Sequence, residues 1–375
     1  LKRIQMLLGA MTASLAAVTA ASSCQAIAGL DGNFQPAPDG GPAGDAGADT
    51  GPDTGPAGCV SATYPDPPGI PDDGNDAGTI SLAVHTVDLG DMGTVPGYDL
   101  DHTCTCTGDA GPTCIGRSMT PSTYCDAPGG VDNQFAKVVQ LIEIPLGSTI
   151  SSSTFTAKAE AGYWTLIILV TGYNGEKDDP SVQVALYPCA GLGAMPQWDG
   201  TDSWPVLATA VDMGAPVYVS NGAYVADHTL VATVPKVPVT FAGEKETLTL
   251  TLSGAVLTGQ LVQSNGVWRI IQGTLAARFA LTDFFQALST YRDNNGMPLC
   301  SNSGFIYDTA KTSVCNDADI LVDPTQPIST TCDALSFGMG FTADPAVLGP
   351  VVPVPTPTPG CTAAMGDPAT DSCPP

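Results

Sequence analysis

Hydrophobic and polar residues alternate without a fault over Thr247-Leu248-Thr249-Leu250-Thr251-Leu252, the period of a strand with one buried face. Ser253-Gly254 then shifts the parity, as a turn or bulge does. Three Asn-Gly dipeptides fall between apolar runs. Asn174-Gly175 divides Tyr163–Thr171 from Val182–Tyr187, Asn221-Gly222 divides Val217–Val219 from Tyr224–Val234, and Asn265-Gly266 divides Val256–Val262 from Val267–Ile271. Asn and Gly tolerate the positive φ of tight turns, so each pair predicts a hairpin and the three together an antiparallel sheet. Trp164–Val170 is almost wholly apolar, yet far short of the roughly 20 residues a membrane-spanning helix needs, which predicts a strand buried on both faces. Helical spacing is confined to short stretches. Asp132 caps a run through Phe135, Val138, Val139 and Ile142; Thr282 opens one through Phe284, Phe285, Leu288 and Tyr291 that closes at Asn294-Asn295-Gly296; a third covers Ala310–Leu321. The pattern predicts a mainly β body over 79–348, an antiparallel β-sandwich of jelly-roll or concanavalin-like type carrying two or three short helical insertions. No period of about 20 to 50 residues recurs, which argues against a solenoid or propeller.

The ends of the chain read differently. Lys2 and Arg3 precede an uncharged, Leu/Ala/Met/Val-rich stretch from Ile4 to Ser23, the layout of an export signal over 1–23. Residues 24–78 form an Asp/Gly/Pro/Ala tether; its stretch from Asp31 to Gly58 has almost nothing large and apolar and no cation, so it predicts an extended, self-repelling spacer. Residues 349–375 form a Pro/Thr-rich tail whose Cys361 and Cys373 suggest a local bridge. Ala21-Ser22-Ser23-Cys24 resembles the lipobox of bacterial lipoproteins, with Ala21 where Leu is usual. That resemblance implies a lipid on Cys24, and Gln25 in place of Asp after it implies outer-membrane sorting. The spacer, with PDPPGIPDDGNDAG, GYDLDHTCTC and CDAPGGVDN, is similar to uncharacterised surface lipoproteins of large-genome soil Gram-negative bacteria.

Composition narrows the partners. The 375 residues hold 12 Lys+Arg against 37 Asp+Glu, a formal charge of −25, which leaves no basic surface for nucleic acid or an anionic membrane face. Membrane association would instead run through the lipid. Only five residues are Glu, and an Asp-heavy, Gly/Pro/Thr-rich composition favours strands and loops over helices.

Export makes disulfides the expected state of Cys59, Cys104, Cys106, Cys114, Cys125, Cys189, Cys300, Cys315, Cys332, Cys361 and Cys373, an odd set that leaves one thiol over, structural or catalytic. Two metal readings compete. His102 with Cys104, Cys106, Cys114 and Cys125 offers the soft ligands zinc takes, though at no standard spacing. Calcium is better served: Asp99 and Asp101 alternate, and Asp126, Asp132 and Asn133 flank a Gly pair, hard oxygens in flexible loops that bridges among Cys104, Cys106, Cys114 and Cys125 would tie together. Asp132 has helix capping as a rival role.

For organic ligands the stretch Gln197–Trp204 stands out. Trp198 and Trp204 beside Asp199 and Asp202 could stack on and hydrogen-bond a glycan, or simply cover the edge of the sandwich. Enzyme signatures are missing: the sequence has no G-x-S-x-G, no H-E-x-x-H and no phosphate loop. Glu244 and Glu246 are the one closely spaced Glu pair and read as the solvated start of a strand; His85 and His228 sit in strand-like runs with structural roles. The expectation is therefore a non-catalytic, lipid-anchored envelope protein with a binding or structural role, its candidate ligands a glycan, calcium or a surface protein, with a secreted polysaccharide hydrolase as the alternative.

Overall fold

Strand β1 (Gly78–Asp88) opens the sheet and is followed by helices α1 (Gln134–Leu146) and α2 (Ser152–Glu160). Then come β2 (Thr165–Tyr173), β3 (Asp179–Cys189), β4 (Ser203–Leu207), the short β5 (Val211–Asp212) and β6 (Ala215–Pro216), β7 (Tyr218–Ala226), β8 (Thr229–Ala242), β9 (Thr247–Ser264) and β10 (Val267–Ala280). Helices α3 (Leu281–Thr290) and α4 (Phe305–Asn316) precede β11 (Ala334–Pro345) and β12 (Val347–Val352). The computed structural model describes residues 60–72, 74, 78–91, 93–106, 111–118, 124–146, 150–355, 360–362 and 364–374. The expected leader, Cys24, Cys59 and most of the expected tether lie outside them.

The protein is mainly β, and its ten longer strands make one mixed sheet in the order β12-β4-β3-β2-β1-β11-β10-β9-β8-β7. Because β7 also pairs with β3, the eight strands from β3 round to β7 close into an antiparallel ring. The facing layers expected of a sandwich are thus opposite walls of one rolled sheet. Alternate residues of all eight strands enter a single core, among them Leu82, Ile168, Val184, Val225, Leu230, Leu250, Leu275 and Phe337. Helices α1 to α4 contribute Phe135, Phe155, Phe284 and Tyr307 to the same cluster.

Local patterns explain the register. In β9, Leu248, Leu250 and Leu252 face the core, and after the bulge at Gly254 (φ +57°) the inward set becomes Ala255, Leu257 and Leu261. Across from it β8 makes the same shift at Pro235-Lys236, from Val234 to Val237. Strand β2 is buried on both faces as its run predicts: Leu166, Ile168 and Val170 enter the core, while Ile167 packs outside with Tyr187, Trp204 and Val206. That outer cluster is covered by the excursion from β3 to β7.

Two hairpins turn at their Asn-Gly pairs. Asn265 and Gly266 form a two-residue turn with φ +54° and +79°, and Asn174 Oδ1 accepts the Glu176 N–H in the β2–β3 connection. The third pair does not turn the chain. Asn221-Gly222 lies inside β7, where its pairing with β3 shifts register, and the turn falls instead at Asp227-His228, both left-handed at φ +49° and +60°. His228 is therefore a turn residue, not a strand residue.

The described residues hold four α-helices rather than two or three. Helix α2, with Ser151 Oγ accepting the Thr154 N–H at its start, has too few apolar positions to stand out in sequence. The third expected helix lies earlier than the sequence places it, at Phe305–Asn316, and α3 begins at Leu281 directly out of β10.

Disulfides join Cys106–Cys125, Cys114–Cys332, Cys300–Cys361 and Cys315–Cys373, and Cys104 is also disulfide-bonded. No local bridge links Cys361 to Cys373; each reaches back to a cysteine flanking or within α4. Part of the expected tether lies on the body: Ala62 donates to Gly129 O, and the Tyr224 hydroxyl donates to Pro65 O. Among the described residues no helix is long and apolar enough to cross a membrane.

Candidate functional site

The loop between β1 and α1 carries the acidic residues and lies against the outer face of β10 and β11. The Tyr98 hydroxyl meets Thr258 Oγ1 at 2.7 Å, and Leu100 packs with Ala276, Ile320 and Ala334. Gly338 makes the close approach possible, since a Cβ there would overlap the Pro96 carbonyl oxygen. Within this loop Asp99, Asp101 and Asp132 bring carboxylate oxygens within 4.8 Å of one another. Asp132 Oδ2 accepts the N–H groups of Leu100 (2.6 Å) and Asp101 (3.2 Å); Asp99 Oδ1 and Asp101 Oδ1 both accept from Thr103 N. The Gly129-Gly130 pair, both at positive φ, turns the chain so that Ala127 and Val131 exchange hydrogen bonds and Asp126 comes beside Asp132.

Asn133 does not join them. Its amide donates to Pro96 O and Gly338 O, and its Oδ1 accepts the Ala136 N–H, so Asn133, not Asp132, caps α1. An additional member comes from the α4–β11 connection: Asp319, held by the Ser336 N–H and hydroxyl.

Burial dominates the electrostatics. It pushes Asp126 up to about 7 against the Thr105 N–H that favours the anion, with Asp101 adding to the rise. Asp319 is likewise raised to about 7 by burial, opposed by its Ser336 hydrogen bonds. Asp132 lies well above the ordinary carboxyl range through burial and then repulsion from Asp101, Asp319 and Asp126. Arg278 and Lys137 are cations beside these carboxyls, Arg278 donating to Leu100 O at 2.6 Å and Lys137 to Cys125 O. Carboxylates outnumber these two cations.

Zinc is excluded at this site. Cys106, Cys125 and Cys114 are spent in disulfides and Cys104 is bonded as well, so no thiolate is offered beside the exposed His102.

The Trp198 loop is held by its own carboxylates. Asp202, buried, accepts the N–H groups of Gln197 and Trp198, and Asp199 accepts from Thr201. Trp204 is 0% exposed, so it has no face to offer a sugar. Trp198 stacks on His85 with ring centroids 4.0 Å apart. His85 Nδ1 donates to Asp344 Oδ2 at 2.6 Å, and Asp344 also holds Arg269. Burial lowers the His85 pKa, Glu160 opposing and Arg269 assisting, which keeps the ring neutral. The arrangement roofs the outer cluster.

In the core, an apolar cavity among α1, α3 and β9 is about 30 Å³, too small for an organic ligand. A cleft of about 920 Å³, within the usual size of ligand sites, lies outside the ring. The outward threonines of the alternating strand, Thr247, Thr249 and Thr251, line it together with Thr240 and Pro238 of β8, Tyr163 and Tyr218, and Arg292. Glu244 and Glu246 stand at its charged end with Lys245. Burial pushes Glu246 up, but backbone N–H groups and Lys158, 3.0 Å away, outweigh it and hold the carboxyl below its ordinary value. Such a group stays ionised and cannot serve as the general acid of glycoside hydrolysis. Cys189 also lines the cleft; among the described residues it is the free cysteine, and burial pushes its thiol up to about 12, which makes it inert rather than nucleophilic.

Comparison with family models, curated proteins and solved structures returned no match for the chain.

Proposed function

We propose that this chain is an exported cell-envelope protein, anchored through a lipid on Cys24, whose acidic tether presents a non-catalytic binding domain. The observation that carries this reading is the disulfide framework, which joins residues as far apart as Cys114 and Cys332 and is at home in an oxidising compartment. It stands beside a leader that ends at a cysteine. Mass spectrometry of the mature chain tests it: an acylated Cys24 as first residue is expected, and Cys24→Ala should abolish acylation. Mature protein that still begins at Leu1 with reduced thiols would overturn the proposal.

The binding surface we assign is the Thr-lined cleft rather than the Trp198 loop. Hydroxyls and two tyrosines lining one cleft suit a neutral, hydroxyl-rich chain such as a glycan, which needs many weak donors and acceptors and apolar faces to lie on. The hydrolase alternative is weaker, because Glu246 is committed to Lys158. On a glycan array Tyr218→Ala should lose binding by tenfold or more while Trp198→Ala retains it; the reverse order would move the site to the loop.

A further inference from the structure

The β1–α1 loop gathers negative charge that its own hydrogen bonds leave incompletely satisfied. Asp99 is 5% exposed, its Oδ1 is used by the Thr103 N–H, and its Oδ2 is buried with no hydrogen-bond partner. A bare carboxylate oxygen away from water is costly unless a cation or a donor meets it. Gly130 is packed closely here: a Cβ on it would overlap Cys104 Sγ and stand 3.5 Å from that oxygen.

We infer that Asp99, Asp101 and Asp132 bind a calcium ion, with Asp99 Oδ2 as the ligand atom that the protein's hydrogen bonds leave free. The three carboxylates converge within 4.8 Å, a spacing that calcium–oxygen bonds of about 2.3–2.6 Å reach from one centre. The donors are all hard oxygens on an irregular loop, the coordination calcium accepts and magnesium, with its strict octahedron, does not favour. Asp126 and Asp319 flank Asp132, and Arg278 and Lys137 are the cations beside them. The Cys106–Cys125 bridge ties the two arms of the loop together, so the site belongs to a cross-linked frame. The inference is independent of export, lipid and glycan.

Isothermal titration of CaCl₂ into the oxidised full-length chain, stripped with EDTA, tests it alongside thermal melts in calcium and in EDTA. Saturable heat and a Tm raised by about 5 °C or more in calcium are expected. Asp99→Asn keeps an oxygen for the Thr103 N–H but removes the ligand charge, so it should weaken calcium at least tenfold while its Tm in EDTA stays at or above that of the parent. Asp101→Asn should weaken it likewise, and Asp199→Asn, in the exposed Trp198 loop, should not. No heat with no Tm change would overturn the assignment, as would parental affinity in both Asp99→Asn and Asp101→Asn.

Discussion

A carboxyl buried among carboxyls is stable with a proton or with a cation, and Asp126, Asp132 and Asp319 are placed so that the choice matters near neutral pH. Their folded-state pKa values are raised, Asp126 and Asp319 to about 7, so the native state binds protons more tightly than the unfolded chain. Stability from this source is present below the unfolded carboxyl range of about 4 and is lost as pH rises towards 7. In EDTA the Tm should therefore fall between pH 4.5 and 7.5, and Asp126→Asn should flatten that fall. Calcium at pH 7.5 should restore the loss. Gly338→Ala tests the packing under the loop: forcing a Cβ against Pro96 O should cost about 2 kcal/mol or more in urea denaturation and weaken calcium as well. The convergence of Asp99, Asp101 and Asp132 was foreshadowed by two separate segments, the alternating Asp99 and Asp101 and the Asp132 that follows a turn-forming Gly pair. Asp319 was not, because only the pairing of distant strands brings the α4–β11 connection beside them. Asn133 and Asp132 exchanged roles since adjacent Asx residues are equally competent caps, and which one caps depends on where the helix starts.

Single strands and turns were easier to read than their partners. The fault-free alternation in β9 survives intact, its leucines inside and its threonines on the cleft, and the bulge sits where Gly254 breaks the pattern. Asn221-Gly222 misled because the same φ tolerance that favours a turn also suits a bulge within a continuing strand. The real turn, Asp227-His228, gave no Gly signal and places two L-residues in the left-handed region. Replacing it by Asn-Gly should raise stability by about 0.5–1 kcal/mol, read as a higher urea midpoint with unchanged m-value. Asp178 Oδ1 accepts the Asp227 N–H, a bond to the backbone that this exchange leaves in place.

At the scale of the whole molecule, closure of the sheet explains why periodicity predicted strands but not their order. Each strand shows which face is buried, and a rolled sheet and a sandwich bury the same faces. The pairing of cysteines was illegible for a related reason, because sequence supplies the sulfurs and only topology supplies the neighbours. Cys114–Cys332 closes the longest loop among the described bridges, 218 residues. Replacing both by Ala should cost about 5 kcal/mol on the chain-entropy account, measured as a drop in denaturation midpoint under non-reducing conditions.

That connectivity has a temporal side. A chain that meets an oxidant from its amino-terminal end presents Cys114 long before its partner Cys332, while Cys106 and Cys125 lie much nearer to it in sequence. Native pairing then needs bonds to be broken and remade, so refolding of the reduced chain with an oxidant alone should yield scrambled isomers. A glutathione couple or a disulfide isomerase should rescue it.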